Sequence, residues 1–484
     1  MTDLNLAELV KITTTMSDKI QSRRPKIAEN LAYYRGEEGR MRFASDEFRD
    51  YFAKRFAGFT DNWVAPVADA PIERIRHLGI RLPGEVRADT DLERVWDANE
   101  ASRGLSEALL VMTVARRAFA LVSPMNGLPP RITFEHPDAA CVLYDPVTRA
   151  RRAGMVMWAD DTWEYGEVYT PQWVIPMKRR TSTRSRDDRR QAPDLPGWSI
   201  DLENDARRNP MGVVPLVELR NKTLLDDDPI SDTEGTAAMQ DSINLVWAYL
   251  LNSLDYASLP ARVVMGLDVP TEPILDKDGQ EIGVRPVELD RFVRDRVIFL
   301  PGEDGSVSEW SAANLAAFSD VIEHAVEHVA AQTRTPGHYL FSKSNVPATG
   351  YELAEAGLVS KTAERIEYAA PAVREIYRLV ALAQGQTVRA EAIALGRTLW
   401  RKPQYRTEAH LLDGLAKMRQ VGFPFQWIAE EYGLDPAEVA RVVDMKRREE
   451  RESLEALAGF SGDDVPPVVN DEVNEDAADA PLER

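Results

Sequence analysis

Apolar residues at the start of the chain fall three and four apart, at Leu6, Leu9, Ile12, Met16 and Ile20, and predict a helical stretch over residues 1–60 with a break near Pro25. Helical patterning continues from 62 to 118 through Trp96 and LSEALLVMTVARR. From 119 to 220 the texture changes to β-branched and aromatic runs: FALVSP, RITFEH, CVLYDP, MVMWAD, WEYGEVYT and QWVIPM. Pro, Gly or Asp bounds each run, which predicts strands of an α+β domain. The segment 178–190, KRRTSTRSRDDRR, has seven basic and two acidic residues and no apolar ones, and reads as a solvated loop.

A long helix follows, then a strand-rich insert and a second long helix. Ser231 and Glu234 match a capping box, and Met239, Ile243, Val246, Leu250 and Leu254 keep helical spacing until Pro260. A helix over 231–258 would span about 42 Å. The insert carries ARVVMGL, a turn at Asp278-Gly279, and RVIFLPG. Leu315, Phe318, Ile322, Ala325 and Val329 mark the second helix, which ends near Pro336-Gly337. After a loop over 335–349, a helix over 350–384 bears a seam of Val359, Ala363, Ile366, Ala370, Val373, Tyr377 and Val380, able to pack on a neighbour or in an ordinary core. Three shorter helices are predicted near 407–420, 425–431 and 436–457, the last opened by Asp435-Pro436. The tail 461–484 holds eight acidic residues and one Arg, with little to bury, and reads as disordered.

The chain is 484 residues long, enough for about three domains. Its 44% hydrophobic and 29% charged content is that of a core-forming protein. With 59 Lys and Arg against 79 Asp and Glu, the net charge is −20, which argues against ordinary tight DNA binding. One cysteine, Cys141, permits neither an intrachain disulfide nor a cysteine-rich zinc site. No run of about 18 apolar residues and no secretory leader pattern is present, so the chain reads as cytoplasmic and soluble, with no membrane partner.

The sharpest enzyme-like signal is His324-Ala325-Val326-Glu327-His328, an H-x-x-E-H pattern in which His324 and His328 could bind zinc and Glu327 act as base. At 100° per residue these three fall opposite the apolar stripe, and no third ligand is singled out, so a polar helix face is the competing reading. Phosphate-loop, dinucleotide and nucleophile-elbow motifs are missing from the sequence, and no cofactor is expected. Asp276-Lys277-Asp278-Gly279 starts like a calcium loop but lacks the later ligands, which favours a hairpin turn. WIAEEYGLDPAEVARVVDMKRREE has helix-turn-helix texture with Gly433 in the turn, though its second helix is acidic at Asp435, Glu438 and Asp444.

The ordered set of these features resembles the portal proteins of tailed bacteriophages, the long-tailed phage group, over residues 5–457. The stretches that carry the resemblance are NWVAPVADAPIERIRHLGIRL (62–82), FEHPDAACVLYDPVTRARRAGMVMW (134–158), EVYTP (167–171), NPMGVVPLVELRNK (209–222), DSINLVWAYLLNSLDYASLPARVVMG (241–266) and TGYELAEAGLVSKTAERI (349–366). One departure stands out: the family often has Gly before the strand at 119–124, where this chain reads Arg116-Arg117-Ala118.

The resemblance implies a mainly helical α+β portal fold. Residues 1–230 would be the wing, 231–258 and 311–334 the stem helices, and 259–310 the clip. The tunnel loop would be 335–349, the long wing helix 350–384, the crown 385–460, and the acidic tail 461–484. It implies no catalysis but a ring, typically of twelve subunits, at one capsid vertex, through which double-stranded DNA passes without sequence specificity during packaging and ejection. The implied partners are further copies of the chain, the terminase large subunit, the head-tail connector, the scaffold and the major capsid protein, in the virion and, during assembly, in the host cytoplasm. By position in the family pattern, His338, Tyr339, Lys343 and Asn345 would be DNA-facing tunnel-loop residues, and Asp276, Lys277 and Asp278 would meet partners at the clip. The readings that compete with a portal are a zinc-dependent hydrolase using His324, Glu327 and His328, and a helix-turn-helix DNA-binding protein using 427–450.

Overall fold

The computed structural model describes residues 6–37, 41, 43–55, 59–85, 87–181, 197–225, 228–258, 262–265, 271–275, 280–286, 297–300, 306–309, 314–340, 348–404, 408–434 and 436–459. They form two units, the first reaching Tyr405 and the second starting at Arg406.

In the larger unit, helix α1 (Leu6–Arg35) buries Leu9, Met16 and Ile20 along the side that the spacing predicts. It runs through Pro25 instead of breaking there. Proline removes one backbone donor, but Pro25 lies on the exposed side, where solvent can replace the lost bond, and Ile20 and Ile27 are buried on either flank. Helix α2 (Asp46–Arg55) and helix α3 (Val64–Ile72) follow.

The next segment departs from its helical pattern: His77–Arg81 is a strand, β1, ahead of helices α4 (Thr90–Ala98) and α5 (Ala101–Val114). It pairs antiparallel with Arg397–Trp400, so the partner that makes it a strand lies more than 300 residues away.

All six strand-like runs form strands: β2 (Arg117–Ser123), β3 (Arg131–Glu135), β4 (Ala140–Tyr144), β5 (Arg151–Ala159), β6 (Trp163–Tyr169) and β7 (Trp173–Arg180). Strands β4 to β7 form an antiparallel meander that β8 (Ser199–Ile200) and β9 (Arg207–Arg208) extend along β7. One meander face sets Met155, Val168, Ile175 and Met177 against Leu9, Met16 and Ile20 of α1. The other meets β2 and β10 (Leu216–Arg220) through Val142, Tyr169 and Val174 against Phe119 and Leu216.

The basic loop starts later than its composition predicts, because Lys178, Arg179 and Arg180 complete β7. Arg179 is buried, its guanidinium 2.5 Å from Glu164 and 4.7 Å from the centre of the Trp198 ring, so its charge is matched within the sheet. Residues 182–190 lie outside the described residues.

Helix α6 (Ala237–Ser258) leads into the expected strand-rich insert. There β11 (Arg262–Met265) pairs parallel with β14 (Val297–Leu300) and antiparallel with β15 (Ser306–Glu309). Strands β12 (Thr271–Leu275) and β13 (Glu281–Pro286) form an antiparallel pair around the predicted turn, which itself lies outside the described residues. Helix α7 (Ala316–Thr333) ends at Arg334, whose backbone is left-handed with φ +56°. The loop expected over 335–349 is shorter, since Gly337–Leu340 forms a helical turn, α8, and α9 already begins at Ala348 and runs to Ala383.

Helix α9 follows its predicted seam only in its second half. Val373, Tyr377 and Val380 are buried with Ala369, Ile376 and Leu379 in the central core, among Leu92, Trp96, Leu109, Met112 and Ala120. In the first half the buried positions are Leu358, Lys361, Thr362 and Arg365, whereas Ala363 is exposed and Val359, Ile366 and Ala370 are half-buried. Buried partners for two cations, described below, draw that polar face inward. Helix α10 (Thr387–Ala394) and β16 (Arg397–Trp400) return to the same core, so residues 385–405, expected with the crown, belong to the larger unit.

The smaller unit has three helices where the pattern predicts them, α11 (Glu408–Gln420), α12 (Phe425–Tyr432) and α13 (Pro436–Gly459). Gly433 ends α12 with φ +100°, a left-handed turn that glycine adopts without a Cβ clash. The tail 461–484 lies outside the described residues.

Candidate channel-facing site

Helices α6 and α7 pack through Ile243, Leu250, Ile322, Val326 and Val329, with Val67 of α3 and Leu340 of α8 completing the cluster. Gln332, near the end of α7, reaches the Gly235 carbonyl just before α6, so the helices run antiparallel at this end. Among the described residues no helix is long and apolar enough to cross a membrane.

The base of α6 is fixed by ion pairs rather than by the expected capping box. A short 3-10 turn, Glu234–Thr236, precedes the helix; Ser231 Oγ accepts from the Thr233 amide, and Glu234 turns away. Its Oε1 accepts from Asn30 Nδ2 at 3.0 Å and from Arg116 Nε at 2.8 Å. Glu234 is thus recruited by a cation just ahead of a distant strand, and α6 starts at Ala237 instead of at Ser231.

Arg116 precedes β2 with φ +74°, a left-handed conformation that glycine favours, and its side chain bridges Glu234 and Asp228. Beside it Arg117 pairs with Glu218 at 2.8 Å, both side chains no more than 4% exposed.

Asp232 is the centre of this junction. Arg365 of α9 donates to both its carboxylate oxygens, at 2.6 and 3.0 Å; Asn221 Nδ2 donates at 2.9 Å; Lys361 Nζ lies 3.7 Å away. Lys361 also donates to the Val67 carbonyl at 3.1 Å, and burial lowers its pKa despite Asp232. The side chains of Asp232, Lys361 and Arg365 are each 5% exposed. One charged cluster therefore locks the start of α6 to α9, and through Asn30 and Arg116 to α1 and β2.

A second cluster surrounds the turn after α7. Arg74, just past α3, donates twice to Glu355 of α9, at 3.0 and 3.3 Å, and to the Tyr339 hydroxyl at 2.5 Å. It also donates to the Pro403 carbonyl at 3.3 Å, and His338 Nε2 lies 3.4 Å from the same Glu355 carboxylate.

Of the residues expected to face DNA, His338 and Tyr339 therefore sit together on α8, tied to α3 and α9. Lys343 and Asn345, and the clip residues Asp276, Lys277 and Asp278, lie outside the described residues. His324 and His328 are exposed on the face of α7 away from its core, whereas Glu327 lines a groove of about 380 Å³ with Ala330, Arg334, Pro336 and Gly357. Among the described residues no three His, Cys, Asp or Glu side chains gather in a metal-binding group. Cys141 is buried, and burial raises its thiol pKa, which leaves it a poor nucleophile.

Sequence reasoning missed Arg74, Asp232, Glu355, Lys361 and Arg365. A signal existed for two of them: Lys361 and Arg365 stand four apart and in phase with the core positions Ala369, Ala372 and Ile376, where cations demand buried partners.

Known proteins are similar to this chain over most of its length. The portal protein of Mycobacterium phage D29 is 25% identical over 426 residues, covering 83% of this chain and 81% of that one. The portal protein of Mycobacterium phage L5 is 24% identical over 399 residues, with coverages of 79% and 76%. In solved structures, a chain from the neck of an empty gene transfer agent particle, computed with C6 symmetry, aligns with a TM-score of 0.42 at 14% identity, covering 84% of this chain and 98% of that one. A chain from the neck of the native particle, computed with C12 symmetry, aligns at 0.38 and 13%, with the same coverages. Residues 15–423, from within α1 to the turn after α11, match the family of SPP1 Gp6-like phage portal proteins, and the chain belongs to that family.

Proposed function

We propose that this protein is the subunit of a ring-shaped, non-enzymatic portal at one vertex of a phage-like capsid, the passage for double-stranded DNA in packaging and ejection. The observation that carries the reading is the family match over residues 15–423. In this reading α6 and α7 are the stem, the strands between them the clip, and α9 the long wing helix. The wing ends at about residue 405, and α11 to α13 form the crown. ATP-driven translocation belongs to the terminase large subunit, which docks on the clip with Asp276, Lys277 and Asp278 as candidate contacts and is later replaced there by the head-tail connector. Scaffold and major capsid protein meet the ring from outside. The ring is assembled in the host cytoplasm and resides in the virion.

Charge supports a passage. Twelve copies at −20 amount to about −240, and DNA moving past such a wall meets repulsion instead of adhesion. The candidates for backbone contact are His338 and Tyr339, whose turn follows α7 directly, with Lys343 and Asn345 next in the chain. Ring contacts are heterologous, so α6 and α7 must each offer two different faces; the exposed side of α7 with His324 and His328 serves as one, toward a neighbour or the channel.

Light scattering with negative-stain imaging tests this. Twelve copies of 54.3 kDa give about 650 kDa, and a particle of that mass with a central hole is the expected result. A species of about 54 kDa that stays monomeric with scaffold and capsid protein present would overturn it.

A further inference from the structure

The Arg74 guanidinium joins parts of the chain that are remote in sequence. Its side chain is 11% exposed, and its partners lie 265 (Tyr339), 281 (Glu355) and 329 (Pro403) residues further on. Glu355 closes the cluster by receiving His338 as well. Two residues along from Arg74, the Arg76 carbonyl accepts the Arg401 amide at 2.9 Å, so the segment after β16 is anchored to the same short stretch. That segment, 401–404, lies at the end of the larger unit.

We propose that Arg74 is a positioning residue that couples the α8 turn to the chain segment leaving the larger unit at 401–404. A planar guanidinium that satisfies a bidentate carboxylate, a phenol and a carbonyl at once has little freedom to follow one partner without straining the others. A shift of His338 and Tyr339 is therefore felt at Pro403, and through Arg76 at Arg401. Glu355 fixes the guanidinium plane; Lys361 and Arg365, about two and three turns further along α9, hold that helix to Asp232, so the frame in which Arg74 acts does not move with the turn. The inference deepens the portal reading, in which the α8 turn meets passing DNA, by assigning that turn a mechanical link to the last segment of the larger unit.

The test is amide hydrogen exchange on the full-length assembled protein. Two protected amides report: Tyr339, bonded to the Pro336 carbonyl at 3.0 Å, and Arg401, bonded to Arg76. Tyr339→Phe removes one hydroxyl and touches nothing at 401–404, so exchange at Arg401 rising about tenfold in that variant reads the coupling itself. Arg74→Lys, which keeps the charge and loses the fork, is expected to raise both amides together while those of Ala118–Val122 in β2 stay unchanged. Arg401 unaffected by Tyr339→Phe, or both reporters unaffected by Arg74→Lys, would overturn the inference. The DNA-facing assignment of the turn fails separately, if particles carrying His338→Ala with Tyr339→Ala package and retain DNA normally, and the portal reading itself fails if no ring forms, whatever the exchange data show.

Discussion

Removing the Asp232 carboxylate tests whether the charged junction holds α6 to α9. In Asp232→Ala the guanidinium of Arg365 loses acceptors at 2.6 and 3.0 Å, the Asn221 amide loses one at 2.9 Å, and Lys361 loses its nearest anion. Both cations are 5% exposed, so water cannot repair the loss, and breaking such a buried pair costs about 3–5 kcal/mol. Lys361 moderates the figure, because burial lowers its pKa and loss of Asp232 removes the anion that opposes that shift, which eases release of its proton. A net loss of about 4 kcal/mol is expected. Urea unfolding followed by tryptophan fluorescence reads it as a first-transition midpoint lowered by roughly 1 M, given the steep denaturant dependence of a unit this size. Asp232→Leu with Arg365→Met removes both charges of the main pair and is expected to be more stable than Asp232→Ala, since no guanidinium is then stranded. Asp232→Ala within about 1 kcal/mol of the parent, or a double variant less stable than the single one, would refute the reasoning.

His77 is packed among Trp96, Tyr377 and Trp400, its Nε2 3.0 Å from the Tyr377 hydroxyl, and burial lowers its pKa from 6.5 to about 3. A base whose folded pKa is depressed binds fewer protons folded than unfolded, so stability rises with pH between about 3 and 6.5. Near pH 5 the group costs up to about 2 kcal/mol, and His77→Gln is expected to flatten that part of the stability-pH curve by close to one proton; an unchanged slope would contradict the assignment. At Arg116, φ +74° separates two variants that both lose the ion pairs: Arg116→Gly relieves the left-handed strain and Arg116→Ala keeps it. The glycine variant is expected to be the more stable by about 1 kcal/mol in denaturant titration, and equal stability would remove strain from the account. Deleting 461–484 is expected to leave the number of subunits in the oligomer, read by light scattering, unchanged, because that acidic segment carries too little apolar area to join a core; loss of assembly would show it to be structural.

What was legible in the sequence is what local chemistry determines. The six strand runs between 117 and 180 alternate over a few residues and sit between turn formers, and the α6 and α7 stripes repeat within one helix, so each declares itself without its partner. Strand β1 does not, because its five residues gain a ladder only from Arg397–Trp400. The first half of α9 misleads for a related reason: Val359, Ala363 and Ile366 keep a seam's spacing, yet Asp232 and the Val67 carbonyl reward burial of Lys361 and Arg365 instead. The stretch before β2 shows both sides of the limit. Arg116-Arg117-Ala118 was legible as a departure from the resemblance, but the left-handed backbone of Arg116 and the partners of its side chain are visible only once Asp228 and Glu234 come within reach. The two clusters that fix the candidate site share this character, since Arg74 with Glu355 and Asp232 with Arg365 join charges 281 and 133 residues apart. Sequence spacing therefore reports the elements of this fold, and long-range ion pairs, which spacing does not report, set the angles and anchor points at which those elements meet.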